Sequence, residues 1–405
     1  MNSLSDTLIL RIIYCSLILV LVTGCSKNEH IESYIGFDIK KETLDKHLKE
    51  QIEELSIPGM SIAVINDGKI VYTNVFGYAD VSKEKPITCQ TIFEGASISK
   101  SVFAFFVMTF VEEGKLDLDK PLFEYYPHPD IKDDERYKKI TARMVLCHRS
   151  GLPNWREDED DKKLKTKFEP NTDYLYSGEG FQYLAMVLMH IENTDHQGLE
   201  KLFQERIAKP LEMEHTVFIQ TPYTREHKAE PYDENGNWID WHNDYWMQKE
   251  DGKFYAPSSI HSEPADFSKW MIAVMNKEIL SDKSYGEMLK PHSKVPFDGV
   301  DVSYTLGYLT PHFPLTDIYL HSGNNEGFTS WYTLDIEKDW GFVLFTNSEY
   351  GEQLGQELFF YLLTGPDLYK LYIILGIFVL IILLGLIFGI RLIIKKIKKK
   401  AQHGV

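Results

Sequence analysis

The strongest constraint on the fold is where the strand signals fall. Residues 60–65 and 69–77 are β-rich runs on either side of Asn66-Asp67-Gly68, a short hairpin signal. Strand-like text then disappears until the far end. There His321-Ser322-Gly323 opens one run, and residues 330–335 and 341–347 form two more. Between them, from about residue 115 to 264, the pattern is helices and loops. The expected fold is α/β of the α+β type: one antiparallel sheet drawn from N- and C-terminal segments, flanked by helices, with an inserted, mainly helical lobe. Two helices are predicted beside the strands. Residues 42–55 carry Leu44, Leu48, Ile52 and Leu55 at helical spacing, and residues 102–113 are strongly apolar and stop at Gly114. A ligand is expected in a cleft between lobes.

The apolar share, 43% of 405 residues, supplies a sizeable core and excludes a disordered or disulfide-dense chain. Residues 26–367 hold 35 of the 43 basic and 59 of the 60 acidic residues, about −24 in charge. Such a surface argues against non-specific nucleic-acid binding.

The ends carry a location signal. Arg11 precedes the apolar residues 12–22, and the run closes on Val22-Thr23-Gly24-Cys25. That ending resembles a bacterial lipobox, which implies cleavage before Cys25 and acylation of its thiol. At the other end, residues 371–390 form an uncharged apolar run followed by Arg391, Lys395, Lys396 and Lys398–Lys400. This pattern predicts a transmembrane helix with a cytoplasmic basic tail. The expected plan is a signal peptide at 1–24, a lipidated tether at 25–40, a catalytic domain at 41–365, a span at 371–390 and a tail at 391–405. The domain would sit on the outer face of a bacterial cytoplasmic membrane, in contact with lipid through Cys25 and the span. Of the other cysteines, Cys15 leaves with the signal, while Cys89 and Cys147 are either a disulfide or two thiols. No zinc-like spacing occurs and no cofactor is implied.

Ser97-Ile98-Ser99-Lys100 is the first chemical candidate. A Ser-x-x-Lys alone is weak, and Ser82-Lys83-Glu84-Lys85 is a decoy in a charged stretch. Ser97 differs because it stands where a strand-like run gives way to the apolar helix. Residues three apart on a helix share a face, and the Ser97 N–H is a free donor at the helix start. A lysine buried there loses proton affinity and serves as a base. His148 reads as structural, and His215, His242 and His261 as surface residues. Residues 156–167 read as a solvated charged loop. The aromatics of residues 237–255 read as packing for a long loop, or as a cleft lining.

Ser97-x-x-Lys100, Tyr176-Ser177-Gly178 and His321-Ser322-Gly323, in that order, resemble the serine β-lactamase and penicillin-binding-protein superfamily. The nearest text is its class C β-lactamase, D-alanyl-D-alanine carboxypeptidase and esterase branch. Ile57-Pro58-Gly59-Met60, Gly114-Lys115-Leu116-Asp117, His148-x-Ser150-Gly151-Leu152-Pro153 and Pro210-Leu211-Glu212-Met213 look like the same family. The resemblance implies roles position by position. Ser97 is the acylated nucleophile, Lys100 helps take its proton, Tyr176 is a phenolate or proton shuttle, and His321 fills the third-motif position. The backbone N–H groups of Ser97 and Asn324 form the oxyanion hole. Gly178, Ser322 and Gly323 border the substrate.

Two departures bear on substrate. Gly178 stands where the family usually has an Asn that holds an acylamino group, and His321 where many members have Lys. A neutral imidazole holds a carboxylate less well. Residues 257–262 replace a usual Gly-rich stretch. The expectation is a membrane-anchored serine hydrolase acting on a small amide or ester, such as a D-amino-acid peptide or ester. The alternatives are a β-lactamase or penicillin-binding carboxypeptidase and, from another class, a non-hydrolytic envelope sensor or scaffold.

Overall fold

The computed structural model describes residues 31–131, 133–240, 252–297, 299–313 and 316–402. The signal segment, Cys25 and Trp241, Tyr245 and Trp246 of the aromatic run lie outside them.

The hairpin forms where the sequence places it. Asn66 and Lys69 face each other across Asp67 and Gly68, whose φ angles are 50° and 65°. Two successive positive φ angles match the twist of the flanking strands, and Asp-Gly tolerates them. Gly59–Asn66 pairs on its other edge with Trp340–Thr346. Then follow Thr329–Asp335, Tyr319–Asn324, Leu309–Phe313, Val302–Tyr304 and Ser293–Val295. All these pairings are antiparallel. One sheet is thus built from both ends of the chain.

Gly59–Asn66 is buried at every position, so its alternate side chains enter two cores. Ala63 and Ile65 join Val343, Phe345 and the helix Ser99–Glu112 on one face. Met60, Ile62 and Val64 join Phe342, Leu344 and Leu44 and Leu48 of the helix Lys41–Glu54 on the other. Ser99–Glu112 is buried from Ser99 to Phe110, which is why its sequence is apolar all round. It starts three residues before the predicted position because a 3₁₀ turn, Ala96–Ile98, leads into it. It ends as expected, with Gly114 at φ 67° donating its N–H to the Val111 carbonyl at 3.0 Å.

Helices Ala142–Leu146, Gly178–Ile191 and His196–Phe203 lie in the middle of the chain. They are capped by Thr141, Ser177 and Asp195, whose side chains accept from the N–H groups of Met144, Gly180 and Gly198. Residues expected as tether contribute Ile31–Glu32 paired with Asp38–Ile39, and Ile31, Tyr34 and Ile39 are buried. Cys89 is exposed, Cys147 is buried, and both are free thiols.

The C-terminal expectation is corrected. Among the described residues, no helix is long and apolar enough to cross a membrane. The helical run Gly351–Gln402 is broken at Gly365 (φ 74°, ψ 164°), next to Pro366. Its first part is committed to the sheet, with Leu354, Leu358 and Leu362 buried in the second core. The predicted transmembrane helix at 371–390, and the membrane location argued from it, are therefore not supported.

Candidate active site

Three separate segments meet around Ser97. Phe93–Glu94 pairs with His261–Ser262, and the Gly95 N–H donates to the Ile260 carbonyl at 2.7 Å. These bonds aim the chain into the turn Ala96–Ile98, where Ala96 takes a strained φ of 47°. The strand Tyr319–Asn324 runs beside that turn. A Cβ on Gly323 would lie 2.5 Å from the Gly95 carbonyl and 2.7 Å from the Ser97 nitrogen, so only glycine allows the approach. The helix Gly178–Ile191 brings Tyr176-Ser177-Gly178 to the third side.

Ser97 is half-buried and Lys100 is fully buried. The Lys100 Nζ lies 3.0 Å from Ser97 Oγ and 2.9 Å from the Pro257 carbonyl. It also stands 4.6 Å from the centre of the Tyr176 ring. Burial pushes the Tyr176 phenol well up, with a hydrogen bond to Ser97 pulling the other way, so the hydroxyl is neutral near pH 7.

His321 is buried between two partners. Its Nδ1 is 2.6 Å from the Ser322 carbonyl and its Nε2 is 2.9 Å from the Tyr304 hydroxyl. A carbonyl only accepts, so Nδ1 carries the proton and Nε2 accepts from Tyr304. Burial, then the charge of Lys100, lower its pKa to about 3. Ser322 Oγ donates to Glu352 at 3.0 Å. Asn324 lines one cavity with Ser97, about 260 Å³ in volume, and donates its amide to Glu349 at 2.6 Å. A larger cavity of about 690 Å³, beside Glu112 and Arg143, contains none of these residues.

His148 is buried, and its Nδ1 accepts from the Ser177 N–H at 3.0 Å, holding the turn before Gly178. Burial keeps it neutral. The decoy is a surface turn in which Ser82 and Lys83 bond Asp80. His261, expected on the surface, is buried 3.9 Å from Glu94; His215 is half-buried, and His242 lies outside the described residues. Among the described residues, no cluster of His, Cys, Asp and Glu could hold a metal.

Several site residues carry no sequence signal of their own. Tyr304 sits in a short strand and reaches His321 across the sheet. Glu94 is buried, paired with Lys228, and accepts from the Asn325 amide at 2.7 Å, which ties the turn after Asn324 to the strand before Ser97. The altered stretch 257–262 supplies the Pro257 acceptor for Lys100 and the Ile260 N–H for Ser99 Oγ. Trp155 packs against Gly178: a Cβ there would fall 2.6 Å from the indole and 2.9 Å from the Asn154 carbonyl.

Comparisons with known proteins give the family and the fold. The chain is 25% identical over 344 residues to the Staphylococcus aureus (strain MW2) "Protein flp", covering 78% of this chain and 66% of that protein. It therefore spans just under two thirds of that relative's length. A 114-residue stretch, 28% of this chain and 20% of the relative, is 38% identical to the mouse "Serine beta-lactamase-like protein LACTB, mitochondrial". An octameric penicillin-binding protein homologue from Pyrococcus abyssi has a similar fold, with a TM-score of 0.65 at 24% identity over 76% of this chain and 73% of that one. The family described as "Beta-lactamase" matches residues 44–363, most of the chain, and to that family this protein belongs.

Proposed function

We propose that this protein is a serine hydrolase that forms an acyl-enzyme on Ser97 from a small ester or amide. The observation that carries the reading is the 3.0 Å contact between Ser97 Oγ and the buried Lys100 Nζ, with Lys100 held from behind by Pro257. With the amine neutral, its lone pair takes the Ser97 proton as Oγ bonds to the substrate carbonyl carbon. The N–H groups of Ser97 and Asn324 are assigned to the developing oxyanion. Tyr176 relays the proton to the leaving alcohol or amine as its bond to carbon breaks. Water then adds to the acyl-enzyme by the same path reversed, releasing the acid and restoring Ser97.

The test compares full-length wild type with Ser97→Ala, using a fluorophosphonate label and a p-nitrophenyl ester. Labelling and turnover that both require Ser97 are expected. A protein that takes the label but releases only one equivalent of p-nitrophenol from the ester would be a sensor. A folded protein with no Ser97-dependent adduct would overturn the reading.

A further inference from the structure

We propose that the site takes an uncharged ester whose acyl group is apolar, and that Trp155 sets this preference. The inference rests on the hydrolase reading and names its substrate class. A groove of about 410 Å³ adjoins the Ser97 cavity, and the two share Asn154, Trp155 and Asp158. Tyr176, over whose ring Lys100 Nζ stands, is one of its lining residues. Its walls include Pro153, Trp155, Phe168 and Leu175. The lysine that borders it, Lys167, is ion-paired with Glu159. An acyl chain attached to Ser97 and leaving past Tyr176 enters this groove.

Two features exclude other acyl donors. First, the space beside Gly178 is filled. Trp155 packs there, stacked on Tyr255 with ring centres 5.9 Å apart, so residue 178 offers no polar side chain to an acylamino group. Second, a carboxylate finds no donor at His321. The one imidazole N–H is spent on Ser322, and the Nε2 lone pair receives the Tyr304 hydroxyl. Among the described residues, the Ser97 cavity is lined by Glu157, Asp158 and Glu326 and by no Lys or Arg. A neutral ester is tolerated there, while the carboxylate formed on hydrolysis is repelled. Atoms balance simply: ester plus water gives acid plus alcohol, through an acyl bond to Ser97 Oγ.

The experiment uses the full-length chain with p-nitrophenyl acetate, butyrate and hexanoate. The matched probes are a p-nitrophenyl hemiglutarate and an N-acetylalanine p-nitrophenyl ester. Fluorophosphonate labelling runs in parallel. Wild-type kcat/KM is expected to rise about two- to fourfold per methylene and to be at least tenfold lower for both polar probes. Trp155→Ala should lower hexanoate at least tenfold more than acetate, and Trp155→Phe should keep part of the rise. Gly178→Ala should lose more than tenfold on every ester, and Trp155→Ala in the same chain should recover part of that loss on acetate. If Trp155→Ala does not fold, the wild-type series and Trp155→Phe still decide. Labelling with a flat series, or a preference for either polar probe, would overturn this proposal and leave the hydrolase standing. No labelling at all would overturn both.

Discussion

The two walls of the cleft are made differently. On the nucleophile side every support is interior. Ser99, Lys100 and Ser101 are fully buried, Ser330 Oγ donates to the Gly95 carbonyl at 2.6 Å, and Tyr332 donates to Ser101 at 2.6 Å. On the facing side Asn154 and Trp155 are only half-buried, and Glu157 and Asp158 are exposed. A residue locked by several buried hydrogen bonds cannot shift without leaving a polar group unpaired. The facing loop is anchored only at its inner end, where Asn154 accepts from the Gly178 and Glu179 N–H groups and Arg156 pairs with Glu179, while its rim lies in solvent. The proposed chemistry therefore rests on an interior wall, and the proposed choice of substrate on a loop with an exposed rim.

The largest effect should come from breaking the fixed wall at its base. Lys100→Met keeps the volume and removes the amine. It should lower kcat/KM on the order of 10³-fold or more while the protein stays folded, measured by ester turnover beside a melting curve. A loss under tenfold would mean that proton transfer runs through another group.

The next effect separates the walls by stability. Glu94 is buried. Desolvation pushes its carboxyl pKa up, but the Lys228 charge and the hydrogen bonds from Lys228 and Asn325 outweigh it and hold the group below the usual range. Glu94→Gln removes the carboxylate paired with the buried Lys228 and should cost about 3–5 kcal/mol by urea unfolding. It should also depress kcat, because Asn325, next to the proposed oxyanion donor Asn324, loses its anchor. Asp158→Asn, on the open wall, should stay within about 0.5 kcal/mol. Equal costs for the two changes would erase the distinction.

What the sequence made legible follows the same division. The hairpin at Asp67-Gly68, the helix end at Gly114 and the segments bearing Ser97, Tyr176 and His321 are local patterns, and one stretch of chain suffices to read each. The supports are not local. Glu94 and Lys228 are 134 residues apart, and Lys100 and its Pro257 acceptor 157 apart. Neither pair has a spacing rule. Gly178 looked like a missing side chain until Trp155 proved to occupy its place. His261, read as a surface residue, lies inside because a two-residue strand pairing carries it under Glu94. The apolar run at 371–390 was read from hydropathy in sequence, whereas the helical run breaks at Gly365 and, among the described residues, no helix is long and apolar enough to cross a membrane.

The smallest expected effect tests whether His321 belongs to the fixed wall. Burial and then the Lys100 charge hold its pKa near 3, against an ordinary 6.5. Below about pH 6.5 the unfolded chain takes up this proton, while the folded chain does not until about pH 3. The site's contribution to stability is complete above that window and is lost as pH falls through it. His321→Gln should remove one proton from the linkage, flattening the pH slope of unfolding free energy by about 1.4 kcal/mol per pH unit between about pH 6 and 4. Glu200 and Glu263, whose pKa values are raised to about 7 by burial, tilt both curves alike and cancel in the difference. Urea midpoints for the two proteins across that range measure it. Parallel curves would mean that His321 titrates normally in the folded protein. It would then be an imidazolium below neutral pH, able to donate to a carboxylate, and the fixed wall would take part in choosing the substrate.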